Sequence, residues 1–118
     1  MDNPTNPYIH LYLGDSYMSI GRKDLALAEY ESAVRVEGSN PQLYLILGGV
    51  YTRMGEKGLA SEQYRKASLI AADNKVMHEK LLQIFEKMKR PAEAAHEKSE
   101  LKRLERREKF EKELTGGK

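Results

Sequence analysis

Asn40-Pro41-Gln42-Leu43-Tyr44-Leu45-Ile46-Leu47-Gly48-Gly49-Val50-Tyr51-Thr52-Arg53-Met54-Gly55 decides the fold. Asn40 is a good N-cap and Pro41 suits the first helical position, where a missing N–H costs nothing. Leu43, Leu47, Tyr51 and Met54 then fall on one helical face at spacings of three and four. Gly55 closes the helix, because glycine accepts the left-handed conformation of a tight C-terminus. The same grammar stands about 34 residues upstream, the length of one helix-turn-helix repeat. Asn6-Pro7 opens that helix, Ile9, Leu13, Tyr17 and Ile20 make its stripe, and Gly21 ends it.

The register continues through a second helix in each unit. Leu13/Leu47, Gly14/Gly48, Tyr17/Tyr51, Gly21/Gly55, Ala26/Ala60, Tyr30/Tyr64, Ala33/Ala67 and Asn40/Asn74 match, and small residues are kept along with large ones. Leu25, Ala26, Tyr30 and Ala33 give the second helix of the first unit its packing face, as Leu59, Ala60, Tyr64 and Ala67 do in the next. Gly14 and Gly48 predict a close helix crossing, with the small Ala26 and Ala60 expected opposite them. Helices are predicted over 7–20, 24–37, 41–54, 58–71, 75–88 and 91–114, with successive helices antiparallel across short connections. The final helix, without glycine and with proline only at Pro91, spans about 24 residues, or ~36 Å.

Composition bounds the function classes. The chain has 118 residues, 32% of them charged, a net charge of +2 and no cysteine. One helical domain is expected, without a disulfide framework, thiolate chemistry or the strongly basic field of a nucleic-acid binder. No apolar run approaches the roughly 20 residues of a membrane span, and the first residues carry no basic-then-apolar leader. The basic run Lys102-Arg103 and Arg106-Arg107-Lys109 alternates with glutamates and reads as a solvated face.

The repeat resembles the tetratricopeptide family, whose 34-residue unit carries an early aromatic, Leu-Gly, Tyr, Gly, Ala, Tyr or Phe, and Ala. The first unit has His10 in the early aromatic slot, then Leu13-Gly14, Tyr17, Gly21, Ala26, Tyr30 and Ala33. The second has Tyr44, Leu47-Gly48, Tyr51, Gly55, Ala60, Tyr64 and Ala67. A third, divergent unit keeps Leu81, Phe85 and Ala94, but has His78 for the aromatic, Leu82 for glycine, Lys89 for the turn glycine and Lys98 for the second aromatic. The resemblance implies an all-α, right-handed α-solenoid of antiparallel helix hairpins. Its repeats would be 7–40, 41–74 and 75–108 within a single domain 1–114, with a long C-terminal capping helix and a flexible tail 115–118. Asn3-Pro4-Thr5-Asn6-Pro7 aligns with Glu37-Gly38-Ser39-Asn40-Pro41, which leads us to expect a piece of a longer array.

No catalytic constellation is legible. His10, His78 and His96 lack metal-ligand spacing, and neither a Gly-x-Ser-x-Gly elbow nor a phosphate-binding glycine loop occurs. The expectation is a non-enzymatic interaction module with no cofactor, binding a protein or peptide. The resemblance implies a concave groove lined by the first helix of each hairpin. It assigns Tyr8, Leu11, Tyr12 and Asp15 from the first repeat to that groove. Leu45, Ile46, Gly49 and Arg53 come from the second, and Val76, Lys80 and Gln83 from the third. The lysines and asparagines with which one subgroup of the family clamps a peptide carboxylate are replaced here by Leu11, Asp15, Ile46 and Val76. Only Lys80 keeps the required charge, which argues against that ligand. The groove is instead apolar at one end and charged at the other. It suits an amphipathic helix or extended apolar segment, with Tyr8 and Tyr12 as anchors and Arg53 and Lys80 reading acidic groups. Two alternatives stay open: preceding helices would make Tyr8 and Tyr12 core residues, and a second copy would make the groove an element of self-assembly.

Overall fold

A computed structural model of the chain describes residues 6–116, and the expected repeat junction at 3–5 and the tail residues 117–118 lie outside them. Six α-helices follow in order: α1 (Pro7–Ser19), α2 (Lys23–Val36), α3 (Pro41–Arg53), α4 (Lys57–Ile70), α5 (Lys75–Lys87) and α6 (Pro91–Leu114). The expected ends hold to within a residue. This is an all-α fold of tetratricopeptide-like hairpins. Contacts along the chain group it into two compact units, one through Ile70 holding α1 to α4 and one from Ala71 holding α5 and α6.

The caps explain the precision of the helix starts. Asn6 accepts from the Tyr8 N–H at 2.9 Å, Asn40 from the Gln42 N–H at 3.0 Å, and Asn74 from the Met77 N–H at 3.0 Å. The ends of the first helices are equally regular. Arg22, Glu56 and Arg90 each return an N–H to a carbonyl five residues back, on Tyr17, Tyr51 and Phe85, at 2.8, 2.9 and 2.9 Å. That closure needs a left-handed residue, supplied by Gly21 (φ 79°), Gly55 (φ 80°) and, against its steric preference, Lys89 (φ 58°).

In the first unit, α1 packs on α2, α3 on α4, and α2 on α3. The core joins Ala26, Tyr30, Leu47 and Val50, with Leu27, Val34 and Tyr44 packed against it. The close helix crossings are real, and the atoms nearest each glycine belong to a tyrosine ring rather than to the expected alanine. The ring of Tyr30 lies over Gly14 and the ring of Tyr64 over Gly48, so the glycine spares the space that a tyrosine fills. Ala26 and Ala60 are fully buried.

The α1 stripe is a second correction. Leu43 and Leu47 of α3 are each 3% exposed, whereas their counterparts Ile9 and Leu13 are 49% and 43% exposed, and Ile20 is 69% exposed. The pattern is the same and the neighbours differ, since α2 covers this face of α3 and none of the described helices of the first unit covers it on α1. Met54 and Leu59 are likewise more open than their stripes suggest.

The second unit is a single hairpin with its own core of His78, Leu81, Phe85, Ala94, Glu97 and Leu104. Charge fastens the long α6 to the segment that leads into α5. Arg103 donates to the Ala72 carbonyl at 2.7 Å and to Asp73 at 3.3 Å, and Arg107 reaches Asp73 at 3.1 Å. The Arg107 and Arg103 guanidiniums hold the Asp73 carboxyl below the usual carboxylate range. Beyond Leu104 the helix is exposed through Phe110 and Leu114, the solvated extension that its charge pattern predicts.

Candidate partner-binding site

Asp15, Leu45, Ile46, Gly49 and Arg53 come together in the first unit. They line one open cleft of about 570 Å³, shared with Met18, Ser19, Tyr30 and Val50. The cleft arises because Asp15, Met18 and Ser19 lie in the last turns of α1, and the matching side of α3 stands beside them. Gly49 has no side chain to fill the space, and a Cβ there would meet nothing within 4 Å. Leu45 and Ile46 give an apolar wall, while Arg53 stands exposed in the last turn of α3, where a cation also suits the helix dipole.

The charges of the cleft are unequally committed. The Tyr30 hydroxyl donates to Asp15 at 2.5 Å, so one carboxylate oxygen is engaged. Burial pushes the Tyr30 phenol well above its ordinary value, the Asp15 hydrogen bond adds to the shift, and the nearby Arg53 charge opposes it. Arg53 has no ion-pair or hydrogen-bond partner among the described residues. What the cleft offers is an apolar wall, a buried neutral phenol bonded to a carboxylate, and one guanidinium open to solvent.

The remaining expected residues stand elsewhere. Leu11 is partly buried against the core of the first unit. Tyr8 and Tyr12, at 54% and 70% exposure, project from α1 and do not line the cleft. Val76, Lys80 and Gln83 lie exposed on α5 in the second unit. Among the described residues, no group of three or more His, Cys, Asp or Glu side chains is placed to hold a metal ion, and no helix is long and apolar enough to cross a membrane.

Sequence reasoning missed two polar pairs. His10 Nδ1 lies 2.9 Å from Glu29, and His78 Nδ1 lies 2.6 Å from Glu97. The signal was present, since both pairs are separated by 19 residues and occupy the same slots of the first and third repeats. The second pair is buried, with both side chains 1% exposed, and His78 Nε2 also contacts the Ala72 carbonyl at 2.9 Å. That carbonyl only accepts, so Nε2 carries a hydrogen, and a further hydrogen must bridge Nδ1 and Glu97. The arrangement is a fully bonded core pair that fixes α5 against α6.

The tetratricopeptide repeat profile matches residues 9–40 and 41–74, more than half of the chain. The chain belongs to the tetratricopeptide repeat family. Among solved structures it is similar to MamA, at 22% identity and a TM-score of 0.65 over 92% of this chain and 63% of that one. A second MamA structure matches at 22% identity and a TM-score of 0.60, covering 86% of this chain and 56% of the other. The Arabidopsis OM64 TPR domain matches at 20% identity and a TM-score of 0.62, with coverage of 90% and 88%. The chain thus spans 63% and 56% of the lengths of the two MamA chains, and at these identities the likeness concerns the fold. No curated protein matches the sequence. A tetratricopeptide repeat fold is, in general, a protein-interaction or scaffold module, and this chain carries that fold.

Proposed function

We propose that the chain is a non-catalytic adaptor whose α1–α3 cleft receives a protein segment bearing apolar side chains next to a carboxylate. One observation carries the reading: an apolar wall of Leu45 and Ile46 lines the same open cleft as the exposed guanidinium of Arg53, which has no ion-pair partner among the described residues. Apolar burial would supply most of the affinity, and Arg53 would select acidic neighbours and fix register. The Tyr30 hydroxyl holds one oxygen of Asp15, and no ion pair joins Asp15 to Arg53 among the described residues. A bound segment long enough to run beyond the cleft along α1 would extend towards the exposed Tyr8 and Tyr12.

The test is selection of random displayed peptides on the full chain, followed by affinity measurement on Arg53→Glu. Arg53 is exposed, so the change should leave melting in place, whereas Ile46 also packs on the core and a change there would confound folding with binding. Enrichment of acidic-apolar peptides that bind the parent chain and fail on Arg53→Glu is the expected result. Peptides that bind both forms equally, or no enrichment at all, would overturn the reading.

A further inference from the structure

The third hairpin holds an open pocket of about 510 Å³ between the end of α5 and the first turns of α6. Phe85, Pro91, Ala94 and Ala95 line it with carbon. Lys89, Arg90 and Lys98 bring three cations to it, against the single carboxylate of Glu86. Neither lysine ammonium has an ion-pair or hydrogen-bond partner among the described residues, and Arg90 approaches Glu93 only at 4.0 Å. Two of the three cations are departures from the repeat. Lys98 stands where the other hairpins have Tyr30 and Tyr64, and Lys89 stands where they have Gly21 and Gly55. Lys89 is held at φ 58°, in the left-handed region that a lysine avoids. Backbone strain of this kind persists where a site makes use of it.

The same departures make the pocket unsuited to another helix. Where α2 meets α3 it presents Leu27, Tyr30 and Val34, whereas α6 has Ala95, Lys98 and Lys102 at those positions. A helix laid there would press two ammonium groups into an apolar contact. A small anion with an apolar body meets no such obstacle, and the volume lies in the range of small-molecule sites. We propose that this pocket binds a small organic acid with an aliphatic or aromatic body. The body would lie against Phe85, Pro91, Ala94 and Ala95. The acid group would face Lys89, Arg90 and Lys98, with the positive end of the α6 dipole beside it. The site shares no residue with the α1–α3 cleft.

The experiment titrates two dyes into the full chain, anilinonaphthalenesulfonate and its uncharged parent phenylnaphthylamine, which share an apolar body and differ in the sulfonate. Fluorescence reads the affinity. The sulfonate should bind about tenfold more tightly, and added salt should narrow the gap. Lys89→Gly, which also relaxes the turn, should weaken the sulfonate roughly two- to fivefold. Lys89→Gly combined with Lys98→Gln should weaken it by about tenfold and leave phenylnaphthylamine unchanged to within about twofold. Both positions are exposed, so the melt should persist. Lys109→Gln with Lys112→Gln, which removes the same charge from the solvated end of α6, should leave both affinities in place. Amide shifts on dye binding should centre on residues 85–98. Equal affinity for the two dyes, a sulfonate affinity indifferent to the Lys89 and Lys98 changes, or shifts centred elsewhere would each overturn the proposal.

Discussion

The ring of Tyr30 lies over the backbone of Gly14 so closely that a Cβ on the glycine would stand 2.5 Å from ring carbon Cε1. Tyr64 and Gly48 repeat the contact in the next hairpin. Alanine normally stabilises a helix interior relative to glycine by about 1 kcal/mol. Here the sign should reverse, with Gly48→Ala costing about 1–3 kcal/mol through overpacking, whereas Gly49→Ala, one residue on and facing open space, should stabilise by roughly 0.5–1 kcal/mol. Denaturant melts of the two variants check both signs.

The buried His78–Glu97 pair gives a second contrast. In Glu97→Gln the side-chain amide can donate to Nδ1 while Nε2–H keeps the Ala72 carbonyl, so every polar atom facing the ring stays bonded. Stability should change by less than about 1 kcal/mol. Glu97→Leu strands Nδ1 in the core and should cost about 3 kcal/mol. Equal losses in the two melts would show that the hydrogen bond is not what holds this position.

Lys89 occupies the left-handed turn position that Gly21 and Gly55 occupy in the earlier hairpins. Lys89→Gly should relieve about 1 kcal/mol of backbone strain, less whatever glycine adds to the entropy of the unfolded chain. A small rise in melting temperature is expected. The same change at Lys80, in the middle of α5, should lower it.

Alkaline pH should unfold the first unit through Tyr30. Its phenol is raised above the ordinary value of about 10 by burial and by Asp15, so the folded state retains a proton that the unfolded state releases. The associated stability is fully present below about pH 10 and is lost as pH climbs above it. Near-ultraviolet titration should show a phenolate signal that emerges only with loss of helicity, and Tyr30→Phe should reduce it to the share of Tyr51, whose phenol burial and Glu31 also raise.

Leu13 and Leu47 occupy one repeat position, but only Leu47 is covered. Leu47→Ala should cost about 2–5 kcal/mol and Leu13→Ala under about 1 kcal/mol in the unliganded chain. Similar losses would mean that the α1 face is occupied in solution.

The helices were legible to within a residue because capping chemistry is local: Asn6, Asn40 and Asn74 bond to their own helices, and Gly21 and Gly55 close theirs. Packing was legible by face but not by neighbour. The stripe of α1 is as periodic as that of α3, and periodicity records which side of a helix is apolar without recording whether anything lies against it. The glycines announced a close approach, yet the facing residue proved to be a ring, since Ala26 and Tyr30 sit on one helical side and sequence does not say which leans over the gap. Five of the residues assigned to the groove line one cleft. Tyr8 and Tyr12 stand apart from it, although they share a helix with Asp15.

In the third hairpin, Leu82 takes the glycine position and an exposed Lys98 takes the tyrosine position, so the order of small and large residues is inverted between the two helices. The inversion is expected to disfavour exchange of helices between hairpins. If α5 paired with α2 or α4, a leucine would meet a tyrosine, and if α6 paired with α1 or α3, a bare glycine would face a lysine that fills no gap. Three similar hairpins stand in one chain, and the size order at this position distinguishes the last from the first two.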